Sequence, residues 1–386
     1  MKKQILFVND EMTLGGVSRI LNNLLHMLDK DKYDIDLLIL HPHGELMNEI
    51  PSWVRIIPSD KFFFYVDVDI KSLIKSKDII GITKKTLFFL LMKSPFIKTM
   101  IVNKRIALLD KQYDVEFAAK EGFCTIFTAL GDSKNKLNWV QTDYRENNYA
   151  KRHMKLLKKA LLMINMNIAC SDQVASSFMD VFEIDNFTVI HNLINELHIK
   201  TLSENMIEPL DENKINLISV ARFHPQKGLD RLIKAVKYVV DHGVDVNLEI
   251  IGDGILKDKL QTLVIQLDLN DKVQFLGYQT NPYPYIRRND LFVLSSLYEG
   301  YPTIVIESLI STTPVLALDV AGVKDQITKK EHGVIAKNDQ DSLNITLLDL
   351  CKDKQKLIKS KQMLADYHYD NQRILDDICY YIDNKV

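Results

Sequence analysis

Two glutamates eight positions apart close the most chemically suggestive segment of the chain, Ser295-Ser-Leu-Tyr-Glu-Gly-Tyr-Pro-Thr-Ile-Val-Ile-Glu307. It follows the apolar run Leu291–Leu294, which reads as a buried strand, and it leads into a helix. Pro302 suits a first helical turn, where its missing N–H costs little, and Gly300 lets the backbone come close to a ligand. Such a helix offers free N–H groups and a positive end at the carboxyl edge of a sheet, a geometry that binds an anion, most naturally a phosphate. Glu299 and Glu307 stand too far apart to share one small group, but they can grip two ends of one extended ligand. Carboxylates accept hydrogen bonds from hydroxyls, so a sugar or a ribose is the expected partner. An isolated pair of glutamates is usually a solvated pair. The Glu-Gly-Tyr-Pro context favours the binding reading.

A second set lies in Ser219-Val-Ala-Arg-Phe-His-Pro-Gln-Lys-Gly228, after another strand. A guanidinium at Arg222 and an ammonium at Lys227 converging on the same edge would neutralise a diphosphate without a metal. Taken alone, two loop cations are ordinary surface charges. Beside the first set they read as functional. Gly15-Gly16 closes the first strand-to-helix loop and permits close approach of a phosphate to a helix N-terminus. Gly252-Asp-Gly254 resembles the start of a dinucleotide fingerprint, but Lys257 stands where its third glycine belongs, and there is no Walker sequence. Asp34-Ile-Asp36 and Asp67-Val-Asp69 match the short Asp-x-Asp metal pattern, and His41-Pro-His43 brings two imidazoles close. Motifs this short arise often by chance, and no metal or other cofactor is expected.

The elements that must position these residues follow from hydrophobic periodicity. Ile5–Val8 is a buried-strand run, Val17 to Leu28 carries a helical stripe, and Ile35–Leu40 is the next strand, a right-handed βαβ unit by default. The grammar restarts two hundred residues later with strands at 215–220, 246–251, 273–276, 291–294 and 315–318, and an apolar helical stripe from Leu229 to Val240. Two parallel α/β modules in tandem are expected: residues 1–192, a polar linker at 193–213, and residues 214–369. Residues 370–386 read as a closing helix that packs back onto the first module.

A chain of 386 residues, 46% apolar and 26% charged, suits two globular cores and excludes fibrous and disordered classes. A net charge of −2 gives no global case for nucleic acid. The apolar runs are too short for a signal peptide or a membrane span, and four scattered cysteines form neither a CxxC pair nor a disulfide framework. A cytosolic protein with free thiols is expected. Residues 71–159 hold 19 Lys and Arg against 8 Asp and Glu. Within them, Lys84 to Lys111 interleaves lysines with Phe88, Phe89 and Phe96, a pattern that suits either an anionic membrane surface or a solvated helix face.

Together these residues resemble the family-4 retaining glycosyltransferases of the GT-B fold, and in particular bacterial capsular and exopolysaccharide glycosyltransferases. The resemblance rests on Val-Ala-Arg-Phe-x-Pro-Gln-Lys-Gly-Leu-Asp at 220–230, Ile-Ile-Gly-Asp-Gly at 250–254, Phe-Leu-Gly-Tyr at 275–278, and Leu-Tyr-Glu-Gly-Tyr-Pro-Thr at 297–303. The first half matches only at Gly15-Gly16, Trp139-Val-Gln-Thr-Asp143, Ser171 and Val189–Ile194. It implies two Rossmann-like domains facing across a cleft. It also implies transfer of a sugar, with anomeric retention, from a nucleoside diphosphate sugar such as a UDP-sugar. The acceptor would be a hydroxyl of a glycan or polyprenyl-linked glycan, in cell-surface polysaccharide synthesis. By the same resemblance Arg222 and Lys227 would contact the diphosphate and Gly16 would offer it a backbone N–H. Glu299 would hold the transferred sugar. Gly300, Tyr301, Pro302 and Thr303 would line sugar and phosphate through the backbone. Glu307 would take the ribose, and the backbone near Tyr278 would meet the base. Gln141 stands where the family often has histidine, and Asp143 is a candidate acceptor-side group. An epimerase or phosphorylase of the same fold, or a non-catalytic partner subunit, are the alternatives. The enzyme is expected in the cytoplasm, peripheral on the inner face of the membrane.

Overall fold

In a computed structural model the chain forms two compact units, Met1–Leu193 with Asn371–Val386, and Ile194–Asp370. The structure describes residues 2–13, 15–67, 73–74, 76–91, 95–145 and 151–384, with the side chains of 66–67, 89–91, 95–97 and 151–153 outside that description. The Asp69 half of the second Asp-x-Asp and Lys93 therefore lie outside the described residues.

The first unit is built on strands β1 (Lys3–Asn9), β2 (Tyr33–Ile39), β3 (Arg55–Ile57), β4 (Val115–Ala118), β5 (Asn135–Val140), β6 (Met166–Ala169) and β7 (Phe187–Val189). All pair in parallel in the order β3-β2-β1-β4-β5-β6-β7. β1 and β4 are continuous buried runs because helices cover both faces of an all-parallel sheet. The closing helix Asn371–Asp383 belongs to this unit. It buries Ile374, Ile378 and Ile382 as one i, i+4, i+8 stripe. Its end is fixed where Tyr33 donates its hydroxyl to Asp383 Oδ2 at 3.1 Å and Asn135 Nδ2 donates to the Tyr381 carbonyl at 2.8 Å.

The second unit holds β8 (Ile215–Val220), β9 (Val246–Ile251), β10 (Val273–Gly277), β11 (Leu291–Leu294), β12 (Val315–Leu318) and β13 (Gly333–Ala336), ordered β10-β9-β8-β11-β12-β13 and again all parallel. The helix Leu229–Asp241 buries Leu229, Leu232, Ile233, Val236 and Val239 against Leu217, Leu248 and Ile250 of the sheet. Each such side chain contributes about 1.5–3 kcal/mol when fully buried. The polar stretch expected as a linker, 193–213, contains the helix Glu196–Ser203. Its period escapes notice because only Ile199 and Ser203 of it are buried.

Part of the positive charge of residues 71–159 is paired with carboxylates of the first unit. Arg105, 4% exposed, donates to both oxygens of Glu116, which is fully buried on β4. Lys104 pairs with Asp60 at 3.1 Å, and Lys111 with Asp34 at 3.1 Å and Asp36 at 3.4 Å. Asp36 also accepts from Arg55 Nε at 2.9 Å and the Tyr113 hydroxyl. Asp34-Ile-Asp36 is thus an ion-pair anchor, and its carboxylates are committed to cations of the fold. Lys85 and Phe88 are buried, at 6% and 8% exposure, rather than lying on an outer face. Among the described residues no group of three or more His, Cys, Asp and Glu could hold a metal ion, and no helix is long and apolar enough to cross a membrane.

Removing one partner of a buried pair strands the other charge and costs about 3–5 kcal/mol, whereas apolar replacement of both is often neutral. Arg105→Ala should therefore lower the first unfolding transition sharply in differential scanning calorimetry. Arg105→Met combined with Glu116→Leu should recover most of that loss.

Candidate functional site

In both sheets the strand order reverses direction once, and ligands of open α/β sheets lie outside the carboxyl ends of the strands at that point. In the second unit the reversal falls between β8 and β11. The loops that follow those two strands, 221–228 and 295–302, are the two segments singled out by their chemistry.

A set of hydrogen bonds fastens these loops to each other. Leu297 N donates to the Gln226 carbonyl at 2.8 Å, and Gln226 Nε2 to the Tyr298 carbonyl at 2.9 Å. Ser295 Oγ donates to the Lys227 carbonyl at 3.0 Å. Gly228 has φ +56, and a Cβ there would sit 2.3 Å from the Ser295 carbonyl oxygen, so only glycine permits this approach. Arg231 holds Asn338 at 2.8 Å, and Asn338 donates to the Leu297 carbonyl at 2.8 Å. The next loop is docked the same way. Phe223 N donates to the Asp253 carbonyl at 2.8 Å, and Gly252 N to the Gly277 carbonyl at 2.9 Å, just before the exposed Tyr278.

The fastening brings Lys227 Nζ to 2.6 Å from Glu299 Oε1, across 72 positions of sequence. Ser296 Oγ donates to the same oxygen at 2.6 Å. Lys227 and Glu299 are mostly covered, with side-chain exposures of 21% and 9%. Arg222 is exposed, and among the described residues it makes no ion pair. Pro302 is the N-cap residue of the helix Thr303–Ile310, one position before the first turn expected for it. Its carbonyl accepts from Val305 N at 3.0 Å and Gln326 Nε2 at 3.2 Å. The first N–H groups of that helix have no intrahelical acceptor, as at any helix start. Glu307 lies in its second turn, 8% exposed. Tyr301 turns its ring inward, with its hydroxyl 3.2 Å from that of Tyr369, and burial pushes its pKa well up. Its contribution to the outer edge is therefore backbone only. Between them these groups offer two cations, two carboxylates and a helix N-terminus within one unit, a combination suited to an anionic, hydroxyl-bearing ligand.

In the first unit the reversal falls between β1 and β4. Gly16 begins the helix Gly16–Met27 after β1, and a Cβ there would meet nothing within 4 Å. The two groups expected on the acceptor side are engaged within the fold. Gln141 and Asn192 exchange amide hydrogen bonds, at 2.9 and 3.0 Å. Asp143, 6% exposed, accepts from Arg145 NH2 at 3.0 Å. Sequence reading passed over Glu121, in the loop after β4, whose Oε1 accepts from Gln141 N at 2.5 Å and Thr142 N at 2.9 Å. Beside it Lys120 is paired with Asp10 of the loop after β1. The available signal was two charged residues placed directly between a buried strand and Gly122, which has φ +92.

Residues 203–369 match the family described as glycosyl transferases group 1. An uncharacterized glycosyltransferase of Haemophilus influenzae is 25% identical over 98% of this chain and 99% of its own length. The Campylobacter jejuni N-acetylgalactosamine-N,N'-diacetylbacillosaminyl-diphospho-undecaprenol 4-alpha-N-acetylgalactosaminyltransferase is 27% identical over 49% of this chain, and the match spans about half of that relative, 52%. Among solved structures, Anabaena HepE in complex with UDP superposes with a TM-score of 0.71 at 16% identity, covering 99% of this chain and all of that one. The chain has the GT-B fold, an α/β architecture of two Rossmann-like parallel-sheet domains.

The steric contrast between two glycines of the chain is directly testable. Gly228→Ala must displace the Ser295 carbonyl and also adopt an unfavourable φ, which together cost at least about 1–3 kcal/mol on the scale of such strains. Its melting temperature should fall by several degrees. Gly16→Ala, with open space around its methyl, should melt within about a degree of the parent.

Proposed function

We propose that the protein is a retaining, family-4 glycosyltransferase. It moves a sugar from a UDP-sugar to a hydroxyl of a glycan or polyprenyl-linked glycan in cell-surface polysaccharide synthesis, and it needs no metal. The observation that carries this reading is the Lys227–Glu299 pair on loops fastened at the strand-order reversal, with Arg222 beside it on the same loop. The ammonium and carboxylate hold each other in place. A donor entering there meets a cation for its diphosphate and a carboxylate for its sugar hydroxyls. As the glycosidic bond stretches, negative charge grows on the diphosphate. In this reading Arg222, Lys227 and the backbone N–H groups of Gly300, Tyr301 and Thr303 stabilise that charge. Glu307, one turn further in, suits the ribose hydroxyls, and the backbone at Tyr278 suits the base. The resemblance assigns Gly16 a backbone N–H contact to a phosphate, and a Cβ there would meet nothing within 4 Å. HepE in complex with UDP and the undecaprenol-linked substrate named for the Campylobacter relative support the donor and acceptor classes.

Membrane apposition forms part of the proposal in reduced form. Among the described lysines from Lys84 to Lys111, Lys84 and Lys98 are exposed, as are Ile79, Ile80, Leu87 and Ile106 of the same two helices, Ile79–Leu91 and Pro95–Leu108. A cytoplasmic enzyme could rest this face on anionic lipid, with each surface cation contributing about 1 kcal/mol. Lys84→Glu with Lys98→Glu should then lower co-sedimentation with phosphatidylglycerol vesicles. Unchanged sedimentation removes the membrane from the proposal.

The central test is UDP release from UDP-glucose, UDP-galactose, UDP-N-acetylglucosamine and UDP-N-acetylgalactosamine. Arg222→Ala and Lys227→Ala should each lower kcat about 10²–10³-fold with a smaller effect on UDP affinity. Glu299→Gln should damage kcat, and Glu307→Gln should mainly raise donor KM. Excess EDTA should leave the rate unchanged. Wild-type turnover in both cation variants, or a loss in EDTA that magnesium restores, sinks the cation-clamp reading.

A further inference from the structure

The chain leaves β11 through two consecutive serines, each 1% exposed, and each hydroxyl holds one half of the Lys227–Glu299 pair. Ser295 Oγ donates to the Lys227 carbonyl at 3.0 Å and so fixes the backbone of the cation. Ser296 Oγ donates to Glu299 Oε1 at 2.6 Å and so fixes the carboxylate itself. Lys227 Nζ reaches that same oxygen at 2.6 Å, and among the described residues nothing donates to Oε2. All of these groups belong to the second unit.

The two donors on Oε1 differ in what else they can do. The ammonium carries three N–H groups on a long, flexible stem. With 21% of its side chain exposed, Lys227 can keep one N–H on the carboxylate and turn another toward an arriving phosphate. The Ser296 hydroxyl has one proton, already given to Glu299, and its burial keeps it from any ligand. Whatever Ser296 does for a bound molecule, it does through Glu299. Its bond has the length of a charge-assisted contact between a hydroxyl and a carboxylate, which is stronger than a bond between neutral groups.

We infer that Ser296 is a positioning residue for Glu299, holding the carboxylate so that Oε2 receives a hydroxyl of the sugar being transferred. The inference rests on the glycosyltransferase reading above and deepens it. Held by Lys227 alone, the carboxylate would turn whenever the flexible ammonium followed a diphosphate. Ser296 has a short side chain at the end of a buried strand, so its oxygen moves little. It keeps Oε1 in place while the ammonium adjusts. One oxygen of Glu299 is thus spent on the protein and the other is left for the substrate. Pre-set orientation of this kind favours turnover of a donor that carries a sugar. UDP lacks the transferred sugar, so its own affinity does not depend on how Glu299 is turned.

The experiment compares Ser296→Ala with Ser295→Ala. It measures UDP release from the same four UDP-sugars with water as acceptor, UDP affinity by calorimetry, and melting temperature. Ser296→Ala should lower kcat about 10- to 100-fold, the scale of one lost hydrogen bond to a charged group. Its UDP affinity should stay within about twofold of the parent, because the missing contact serves the sugar. Ser295→Ala loosens the fastening of the two loops, so it should lower the melting temperature further than Ser296→Ala and weaken UDP binding along with turnover. Parent-like kcat in Ser296→Ala overturns the proposal. So does a loss of UDP affinity that matches the loss of turnover, or a melting loss as large as that of Ser295→Ala. Either would make Ser296 one more fastener of the loops. If the parent neither binds UDP nor releases it from any of the four sugars, the donor reading fails and takes this proposal with it. That result is distinct from an active parent matched by its variant.

Discussion

The close approach of the 221–228 loop to Ser295 is the constraint on which the second unit's chemistry depends. Gly228 lies against the Ser295 carbonyl, and hydrogen bonds through Gln226, Ser295 and Leu297 lock the two loops face to face. Everything chemically notable follows from that contact. It brings Lys227 onto Glu299, four positions before the helix Thr303–Ile310 begins. An ion pair of two flexible side chains at a surface would be worth little. Here the backbone of both partners is already immobilised, so little entropy is lost in forming it, and the pair stays positioned without a ligand.

Cations serve two ends in this chain, and the second unit uses them for both: Arg288 pairs with the buried Glu249 of β9. In the first unit, arginine and lysine are spent on carboxylates of the sheet: Arg105 on Glu116, Arg55 and Lys111 on Asp36. These pairs neutralise charge that the strands carry into the interior, where an uncompensated ion would be costly. In the second unit Arg222 makes no such pair among the described residues, and Lys227 shares its carboxylate partner with Ser296 at the edge of the sheet. A cation at a loop edge remains available to an anion. A cation between strand and helix has already met its partner.

Legibility in the sequence tracked burial. The strands at 215–220, 246–251, 291–294 and 315–318 could be read to the residue, because a parallel sheet covered on both faces writes itself as a mostly apolar run, unbroken at 291–294 and 315–318. β7 and β13, three and four residues long and mostly half-buried, left no such run. The helix Glu196–Ser203 hid in a polar stretch for the same reason. Net charge misled most. Counting lysines along 84–111 could not distinguish Lys84, which is exposed, from Lys85, its neighbour, which is buried.

The sequence by itself determined the α/β periodicity, the restart of the pattern halfway along the chain, and the chemical character of Arg222, Lys227, Glu299 and Glu307. These are local properties, carried by residue type and by spacings of a few positions. The tertiary structure alone decided which of them meet. Lys227 reaches Glu299 because β8 pairs with β11 rather than with its successor alone, and Glu121 receives Gln141 and Thr142 because β4 pairs with β5. Strand order is set by how whole elements pack, and no short window of sequence contains that information.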